Sequence, residues 1–320
     1  MLNDAVFSEL INDWIQNVRI PSHPAGLYEP IKYTLASGGK RLRPLLMLAV
    51  MSALGKDPAT ARNQALDIEI FHNFTLLHDD VMDNSEIRRG RMTVHKRWSP
   101  NVAILSGDAM LTIAGTLAAR CPLDKVEKVL ELFNKTAMEV YEGQQLDMDF
   151  EHNRSVTVDQ YIEMIRLKTS VLLGCACKMG AIMADADDAT ADAFYKFGEY
   201  LGLGFQLKDD WLDTYGDPLI FGKQIGGDII NNKKTWLLIT ALNEEQNGVV
   251  AKSLTASIDK AEKVSRVIGV YDSLNLNARC LALVDKYAND AIACLDAIDL
   301  TDDARRYFLS LTQRLTDRNY

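Results

Sequence analysis

The sequence predicts an all-α protein, and three observations support this fold class. The chain has 320 residues but only 8 prolines, and no proline interrupts residues 123–217 or 219–320. Both stretches are rich in Ala, Leu, Met, Glu and Lys, which are strong helix formers. Apolar residues recur there at spacings of three and four, as on one face of a helix. Alternating strand patterns are scarce, so we expect many packed helices.

Length alone would favour two domains, but the sequence shows no boundary between them. It has no Pro/Ser/Gly-rich linker, no low-complexity tract and no long run of like charge. We therefore predict a single domain over residues 1–320, large enough to bury an ample core. The net charge of −9 argues against nucleic acid or an anionic membrane surface as the main partner.

Cysteine usage and the N-terminal sequence bear on the compartment. The 5 cysteines show no zinc-binding spacing, which indicates buried, reduced thiols and a cytoplasmic protein. The N-terminus lacks the basic and apolar regions of a signal peptide. No uninterrupted apolar stretch approaches the length of a membrane-spanning helix, so we expect no membrane span.

The first predicted helices are separated by prolines and glycines. We expect helices over about residues 3–18 and 28–35, and a glycine pair at 38–39 ends the second. In the turn that follows, Lys40 and Arg43 project together, and glycines allow the backbone to approach a ligand closely. The same turn is also compatible with a helix start whose charges are simply solvated.

The next helix begins near residue 58 and ends in three carboxylates, Asp79, Asp80 and Asp83. On a helix, Asp79 and Asp83 share a face. Two aligned carboxylates can hold Mg²⁺, which completes its octahedron with water and substrate phosphates. Arg88 and Arg89 follow in a short loop and supply planar donors for phosphate oxygens. By itself, such a cluster is also compatible with a solvated helix face.

The same carboxylate spacing is repeated far downstream, at Asp209, Asp210 and Asp213. Basic residues follow again, beginning with Lys223. They lie in the glycine-rich segment 222–235, which we predict to be a mobile loop able to fold over a phosphate. Two acidic clusters, each followed by basic residues, indicate two walls of one site for metal ions and a polyphosphate.

Between the acidic motifs we predict three helices. They cover residues 101–117, a long segment from residue 124, and residues 161–183. The last of these carries Lys168 and Thr169 in an otherwise apolar pattern, where a lysine can also extend its side chain to water. Three glycines before the second acidic motif indicate close helix packing. They are Gly198, Gly202 and Gly204.

Taken together, these motifs resemble those of the trans-isoprenyl diphosphate synthases, the polyprenyl synthetase family. The resemblance covers nearly the whole chain and is specific, because five linked motifs occur in the same order. It implies a large helical bundle around a deep central cavity, paired as a homodimer. The motifs are residues 38–44, residues 79–90, Gly143-Gln144, Lys168-Thr169, and residues 209–213 followed by Lys223.

The resemblance also implies a role for each motif residue. Mg²⁺ would be the cofactor, and its ligands would be Asp79, Asp83 and Asp209. The isopentenyl diphosphate site would comprise Gly39, Lys40, Arg43, His72 and Arg89. The allylic diphosphate (dimethylallyl, geranyl or farnesyl) would be bound by Arg88, Lys168, Lys223 and Lys233.

The remaining implied roles concern catalysis. Thr169 and Gln206 would line the path of the carbocation, so the catalytic set would be Lys168, Thr169, Gln206 and Lys223. The orienting carboxylates would be Asp80, Asp210 and Asp213. The implied reaction joins isopentenyl diphosphate head-to-tail to an allylic diphosphate and releases diphosphate.

The resemblance further relates product length to the fourth and fifth residues before the first aspartate. These are Thr75, which is small, and Phe74, which is large. Only two residues separate Asp80 from Asp83, without the insertion typical of bacterial farnesyl diphosphate synthases. This combination resembles short-chain enzymes and predicts an all-trans product of C15 to C20. The exact length and the preferred allylic starter stay open.

Two alternatives share parts of this pattern. A class I terpene cyclase would have the same fold and the first acidic motif, but a different metal motif in its second half. A non-catalytic prenyl synthase subunit would be expected to lack some acidic ligands. Because both Asp-Asp-x-x-Asp motifs are complete here, a catalytic synthase is the preferred interpretation.

Overall fold

A computed structural model describes residues 2–153, 155–217 and 225–317 and confirms the all-α class. Over these residues the chain forms sixteen α-helices and one hairpin of two very short strands. The elements up to residue 118 are α1 (Asp4–Gln16), α2 (Ala25–Leu35), α3 (Leu42–Ala53), a 3₁₀ turn (Pro58–Ala61), α4 (Arg62–Met82), β1 (Ile87–Arg88), β2 (Arg91–Met92), α5 (Val94–Arg97) and α6 (Pro100–Ala118).

The remaining elements are also almost entirely helical. They are α7 (Val126–His152), α8 (Val158–Ile165), a π-helical turn (Arg166–Ser170), α9 (Val171–Met183), α10 (Asp188–Tyr215), α11 (Gly227–Ile230), α12 (Trp236–Glu244), α13 (Val249–Thr255), α14 (Lys260–Ser273), α15 (Leu276–Cys294), a 3₁₀ turn (Leu295–Ala297) and α16 (Asp302–Thr316).

The chain divides into two compact units. The first comprises Met1–Lys135 and Cys175–Phe194, and the second comprises Thr136–Gly174 and Tyr195–Tyr320. The boundaries fall within α7, α9 and α10 rather than in a linker. The single-domain organisation inferred from the sequence stays a prediction.

Helix α4 is the core helix of the first unit, where it packs against α1, α2, α3 and α6. It is buried over most of its length, including polar residues such as Gln64 and Asn73. A helix surrounded in this way needs apolar residues on nearly all faces. The burial ends at the last turn, where Asp80 is buried but Asp79 is partly exposed and Met82 is 52% exposed.

Helix α6 is the closest partner of α4 and has an unusual composition. By length and composition alone it could cross a membrane, although only 39% of its apolar window is buried inside the protein. Asp108 interrupts the apolar sequence. The helix packs closely on α4, since a β-carbon at Gly107 would lie 2.2 Å from the His78 Nε2 atom. These contacts are those of a packed helix in a globular unit.

The second unit has its own apolar core. It is formed by α8, α10 and the helices from α12 to α15, with Tyr161, Leu207 and Tyr271 among its fully buried side chains. Two of the glycines expected to mediate close packing do so. A β-carbon at Gly198 would lie 2.6 Å from the Leu173 carbonyl oxygen, and one at Gly202 2.6 Å from the Ser170 Cα atom.

The structure differs from the sequence predictions in three places. The predicted helix 161–183 contains a π-helical turn between α8 and α9. The β1–β2 hairpin was not predicted. Residues 222–235 were predicted to be a loop too rich in glycine for a helix, yet 227–230 form the single-turn helix α11. Residues 222–224 of that region lie outside the described chain.

Candidate active site

The basic turn between α2 and α3 is held against the β1–β2 hairpin. Gly38 and Gly39 have φ values of +74° and +130°, which are accessible mainly to glycine. The Arg89 guanidinium lies directly on Gly39, where a β-carbon would be 2.7 Å from its Cζ atom. Arg89 Nη1 donates a hydrogen bond to the Gly38 carbonyl oxygen. Glycine at position 39 is therefore required for this contact.

His72 and Arg43 meet beside this turn. Arg43 Nη1 lies 3.2 Å from His72 Nε2, and arginine can only donate, so that nitrogen is the acceptor. Burial and the neighbouring Arg43 lower the pKa of His72 well below its usual value. The imidazole is therefore neutral at pH 7. The first unit thus brings together Gly39, Arg43, His72 and Arg89, and Lys40 lies exposed in the same turn.

The first acidic motif occupies the C-terminal end of α4. Asp79 lies in its last turn and Asp83 is the C-cap residue, with its amide bonded to the Asp79 carbonyl at 2.8 Å. Asp80 is buried instead and accepts a 2.7 Å hydrogen bond from Arg88 Nε. Burial raises the pKa of Asp80, while the charge of Arg88 opposes that shift. Asp80 therefore orients Arg88, whose Nη2 atom also lies 3.5 Å from Asp79 Oδ2.

The hairpin that carries Arg88 explains its position. Arg88 pairs with Arg91 across the two strands. The two loop residues, Arg89 and Gly90, have φ values of +52° and +73°, as in the type I′ turns that suit two-residue hairpins. The Arg-Gly pair is a weak turn signal compared with Asn-Gly, which is why the sequence did not reveal the hairpin.

The second acidic motif lies in the second unit, near the end of α10. Asp210 is buried and accepts hydrogen bonds from the Tyr161 hydroxyl and, at 3.0 Å, from Gln206 Nε2. Gln206 Oε1 in turn accepts a 3.1 Å hydrogen bond from the Thr169 hydroxyl. Burial, followed by the negative charge of Asp228, raises the pKa of Asp210. The predicted residues Thr169 and Gln206 therefore belong to one hydrogen-bonded chain with Asp210.

The other two carboxylates of this motif differ in their surroundings. Asp213 Oδ2 accepts a 2.9 Å hydrogen bond from the Asp228 amide, and its carbonyl accepts one from the Gly226 amide at 2.7 Å. Asp213 therefore supports the segment that begins α11. Asp209 is partly exposed and shares a helix face with Asp213.

Lys168 lies in the π-helical turn and forms an ion pair with Asp147 of α7. Such turns are frequently found at functional sites. A β-carbon at Gly143 of α7 would lie only 2.3 Å from the Lys168 amide nitrogen. Close approach of α7 and the π-helical turn therefore depends on glycine at position 143.

Of the two remaining lysines predicted to bind the allylic diphosphate, the structure describes only one. Lys233 lies in the second unit, and its positive charge acts on Asp210, where it opposes the rise in pKa. Its amide donates to the Asp228 carbonyl at 2.9 Å. Lys223 lies outside the described residues.

The carboxylates fit a hard divalent cation that also binds substrate. In the described chain, no group of three or more His, Cys, Asp or Glu side chains could hold a metal ion. Mg²⁺ does not require such a cage, since it commonly uses one or two carboxylates with water and phosphate oxygens. Asp79 and Asp83, at the end of α4, provide such a carboxylate pair.

Comparison with known proteins shows in which family this set of motifs occurs. Residues 24–273 match the model of the polyprenyl synthetase family. The chain belongs to this family. A geranylgeranyl pyrophosphate synthase from Geoglobus acetivorans is 35% identical over 321 residues, covering 98% of this chain and 97% of that protein.

Two solved structures have the same fold as this member of the family. A geranylgeranyl pyrophosphate synthase is 39% identical with a TM-score of 0.92, covering 99% of this chain and 98% of that one. A geranylgeranyl pyrophosphate synthetase from Pyrococcus horikoshii is 32% identical with a TM-score of 0.92, covering 98% of both chains. The protein is therefore a trans-prenyltransferase, as the motifs predicted.

Several residues at these sites were not singled out by the sequence. Tyr161 and Asp147 are the partners of Asp210 and Lys168, and Glu69 is the buried partner of Arg41. Each is an ordinary helix residue whose partner lies many positions away. For Asp147 the sequence did offer a signal, since polar side chains that interrupt an apolar helix face require partners in a core. The same signal applies to Glu69.

Proposed function

We propose that this polyprenyl synthetase condenses isopentenyl diphosphate with an allylic diphosphate to form a C15 to C20 all-trans diphosphate. One observation carries the proposal. Both Asp-Asp-x-x-Asp motifs are complete, and in each the middle aspartate is bonded within the protein while the flanking two share a helix face. That arrangement suits metal-assisted binding of a diphosphate better than a solvated acidic surface.

The basic cluster of the first unit is the proposed isopentenyl diphosphate site. Lys40 and Arg89 would bind the diphosphate as cations, while neutral His72 fixes Arg43 through the bond described above. Gly39 admits the Arg89 guanidinium and leaves the turn open to the ligand. Arginines suit this task because their planar forks match phosphate oxygens.

We propose Mg²⁺ as the divalent ion, held by Asp79, Asp83 and Asp209. When bound, it would stabilise the charge that develops on the departing diphosphate. Arg88, held by Asp80, would bind the same diphosphate, together with Lys168, Lys223 and Lys233. Charges placed where the transition state needs them are the largest catalytic contribution in such reactions.

The other catalytic residues would stabilise and protect the reacting carbons. The Thr169 hydroxyl and the Gln206 amide are oriented by their mutual hydrogen bond and by Asp210. Their dipoles would face the developing carbocation without forming a covalent bond to it. The double bond of isopentenyl diphosphate would then attack the cation, and the departing diphosphate would accept the proton that is lost, so the reaction needs no nucleophilic side chain.

The metal assignment can be tested directly. Asp79→Ala and Asp209→Ala should each lower turnover by at least about 10²-fold, since each removes a ligand of the proposed leaving-group clamp. A chelator should abolish activity, and added Mg²⁺ should restore it. Lys286→Ala, which removes a surface ion pair, is the control and should behave as wild type. Near-normal turnover without metal would refute the mechanism.

The aromatic residues on α4 support a short product. Phe74 is 5% exposed and is held between Phe71, at 5.6 Å between ring centroids, and His78, at 4.8 Å. Phe71 also packs edge-on against Phe133. A ring fixed on both sides can block an elongating chain, whereas a mobile side chain would move aside. We propose that Phe74 limits the product to C15 to C20.

We further propose a homodimer in the cytoplasm. Helix α6 exposes Ile104 and Leu105, by 46% and 60%. Exposed apolar side chains grouped on one helix are typical of interaction surfaces. The five cysteines are all free thiols, as expected in a reducing compartment. Light scattering of wild type and of Leu105→Glu should give a dimer and a monomer respectively.

A further inference from the structure

Arg41 combines two unfavourable features in the basic turn. Its φ of +48° lies in the left-handed region, which residues with a β-carbon rarely adopt. Its side chain is also buried, with 7% of the residue exposed, although charged residues are rarely buried without a partner. The surrounding structure must therefore hold Arg41 in place, because neither feature would persist by itself.

Helix α4 supplies the group that holds it. Arg41 Nη1 donates to Glu69 Oε1, and Arg41 Nη2 donates at 2.8 Å to the Leu35 carbonyl at the end of α2. Glu69 is 1% exposed, so this ion pair is fully inside the protein. Asn73, one turn along α4, donates at 2.6 Å to the same Oε1 atom. Arg41, Glu69 and Asn73 therefore form one buried network.

The network lies directly under the turn that presents the diphosphate-binding cations. The Arg41 carbonyl accepts the amide of Leu45 at 3.1 Å and so begins α3. Lys40 precedes Arg41 and Arg43 follows it by two positions. The opposite end of the turn is tied by Arg89, which donates to the Gly38 carbonyl. With both ends attached, the positions of Lys40 and Arg43 depend on the conformation of Arg41.

Glu69 also balances the charge of this region. Burial lowers the pKa of Arg89, and the negative charge of the Glu69 carboxylate opposes that fall. A buried anion beneath several arginines allows them to stand close together before any diphosphate arrives. Because Glu69 is only 1% exposed, it has this effect without contacting the ligand.

We propose that Glu69 and Asn73 are positioning residues for the isopentenyl diphosphate site, acting through Arg41 on the turn that carries Lys40 and Arg43. The inference rests on the proposed function, since it assigns the support of that same site. Neither residue touches the substrate. Their effect is to keep the turn in its binding conformation.

Steady-state kinetics of Glu69→Gln tests the proposal. We expect the KM for isopentenyl diphosphate to rise about tenfold or more, with kcat and the allylic KM changed less than about twofold. Asn73→Ala should show the same pattern with a smaller rise. Hydrogen exchange of amides 38–43 should be faster in both variants, because the turn has lost its internal support.

Gln64→Ala is the matched control. Gln64 is equally buried on α4, but it donates to the Leu117 and Ala118 carbonyls at the end of α6, at 3.3 and 3.2 Å. This variant should be destabilised without a selective rise in the KM for isopentenyl diphosphate. An equal rise in Gln64→Ala would show that general loosening of α4 suffices, and the inference would be overturned.

The outcomes separate this inference from the proposed function. One outcome would refute only the positioning role: Lys40→Ala raises the KM for isopentenyl diphosphate, but Glu69→Gln and Asn73→Ala leave that KM unchanged. Wild type that does not use isopentenyl diphosphate would refute the proposed function itself. If Glu69→Gln does not fold, Asn73→Ala by itself tests the positioning role, because that variant keeps the Arg41–Glu69 ion pair.

Discussion

Replacing Gly143 by alanine is the substitution for which the structure makes the strongest prediction. The added β-carbon would lie 2.3 Å from the Lys168 amide nitrogen and 2.7 Å from both the Lys168 Cα and the Leu167 carbonyl carbon. All three atoms are backbone, so no side-chain rotation relieves the contact. Helix α7 and the π-helical turn must therefore move apart.

The expected losses of stability and of catalytic rate follow from the size of that movement. Favourable carbon contacts lie near 3.5–4.0 Å, so the two segments must separate by about 1 Å. Overpacking of this kind costs about 1–3 kcal/mol of stability. A misplacement of about 1 Å at a catalytic group can cost about 10²-fold in rate. Because Lys168 and Thr169 both lie in the displaced turn, we expect kcat to fall by about 10²-fold.

The assay is turnover with saturating substrates, together with thermal unfolding. Gly269→Ala is the control, since Gly269 lies within α14 and a β-carbon there meets nothing within 4 Å. That variant should keep its activity and gain about 0.5–1 kcal/mol from helix propensity. Gly143→Ala with wild-type kcat and an unchanged melting temperature would show that the close approach has no importance for the site.

Three further predictions concern separate parts of the protein. Asp67 is fully buried, neither carboxylate oxygen has a hydrogen-bond partner in the described chain, and burial raises its pKa well above 3.8. Above pH 4 the unfolded chain releases this proton while the folded protein retains it, so the free energy of unfolding falls by about 1.4 kcal/mol per pH unit up to the folded pKa. Relative to wild type, Asp67→Asn should gain stability progressively above pH 4, and urea unfolding that shows a constant difference from pH 3 to 7 would contradict this. Phe74→Ala should lengthen the product by one or more isoprene units on chromatography, whereas an unchanged product, or a wild-type product of C30 or longer, would reject its blocking role. Lys40→Ala and Arg43→Ala should chiefly raise the KM for isopentenyl diphosphate and Lys223→Ala that for the allylic substrate, and equal effects on both substrates would refute the assignment.

The family and the all-α class could be predicted from the sequence because their signals are local. Helix propensity, the spacing of apolar residues and the scarcity of proline act within single helices. The first acidic motif is equally local, since Asp79 and Asp83 lie one turn apart on the same helix. The single-turn helix at 227–230 was missed because Gly226 and Gly227, at its N-cap and first position, lower the helix propensity of a segment only four residues long.

Contacts between distant residues could not be predicted in this way. Glycine at position 143 is compatible with any helix surface until Lys168 is placed against it, 25 positions later. The buried position of Arg41 was also hidden, because a basic residue beside a glycine pair is usually solvated. Its pairing with Glu69 depends on α3 and α4 being packed side by side.

The sequence by itself determined which carboxylates exist and which of them share a helix face, because that depends only on the helical repeat. Tertiary structure decided what each carboxylate does. Asp80 is bonded to Arg88 of the hairpin, and Asp210 to Tyr161 of α8. In both motifs the middle aspartate faces the protein and orients another functional side chain. Burial makes an unpaired carboxylate costly, and a donor on a different element of the fold offsets that cost for Asp80 and for Asp210.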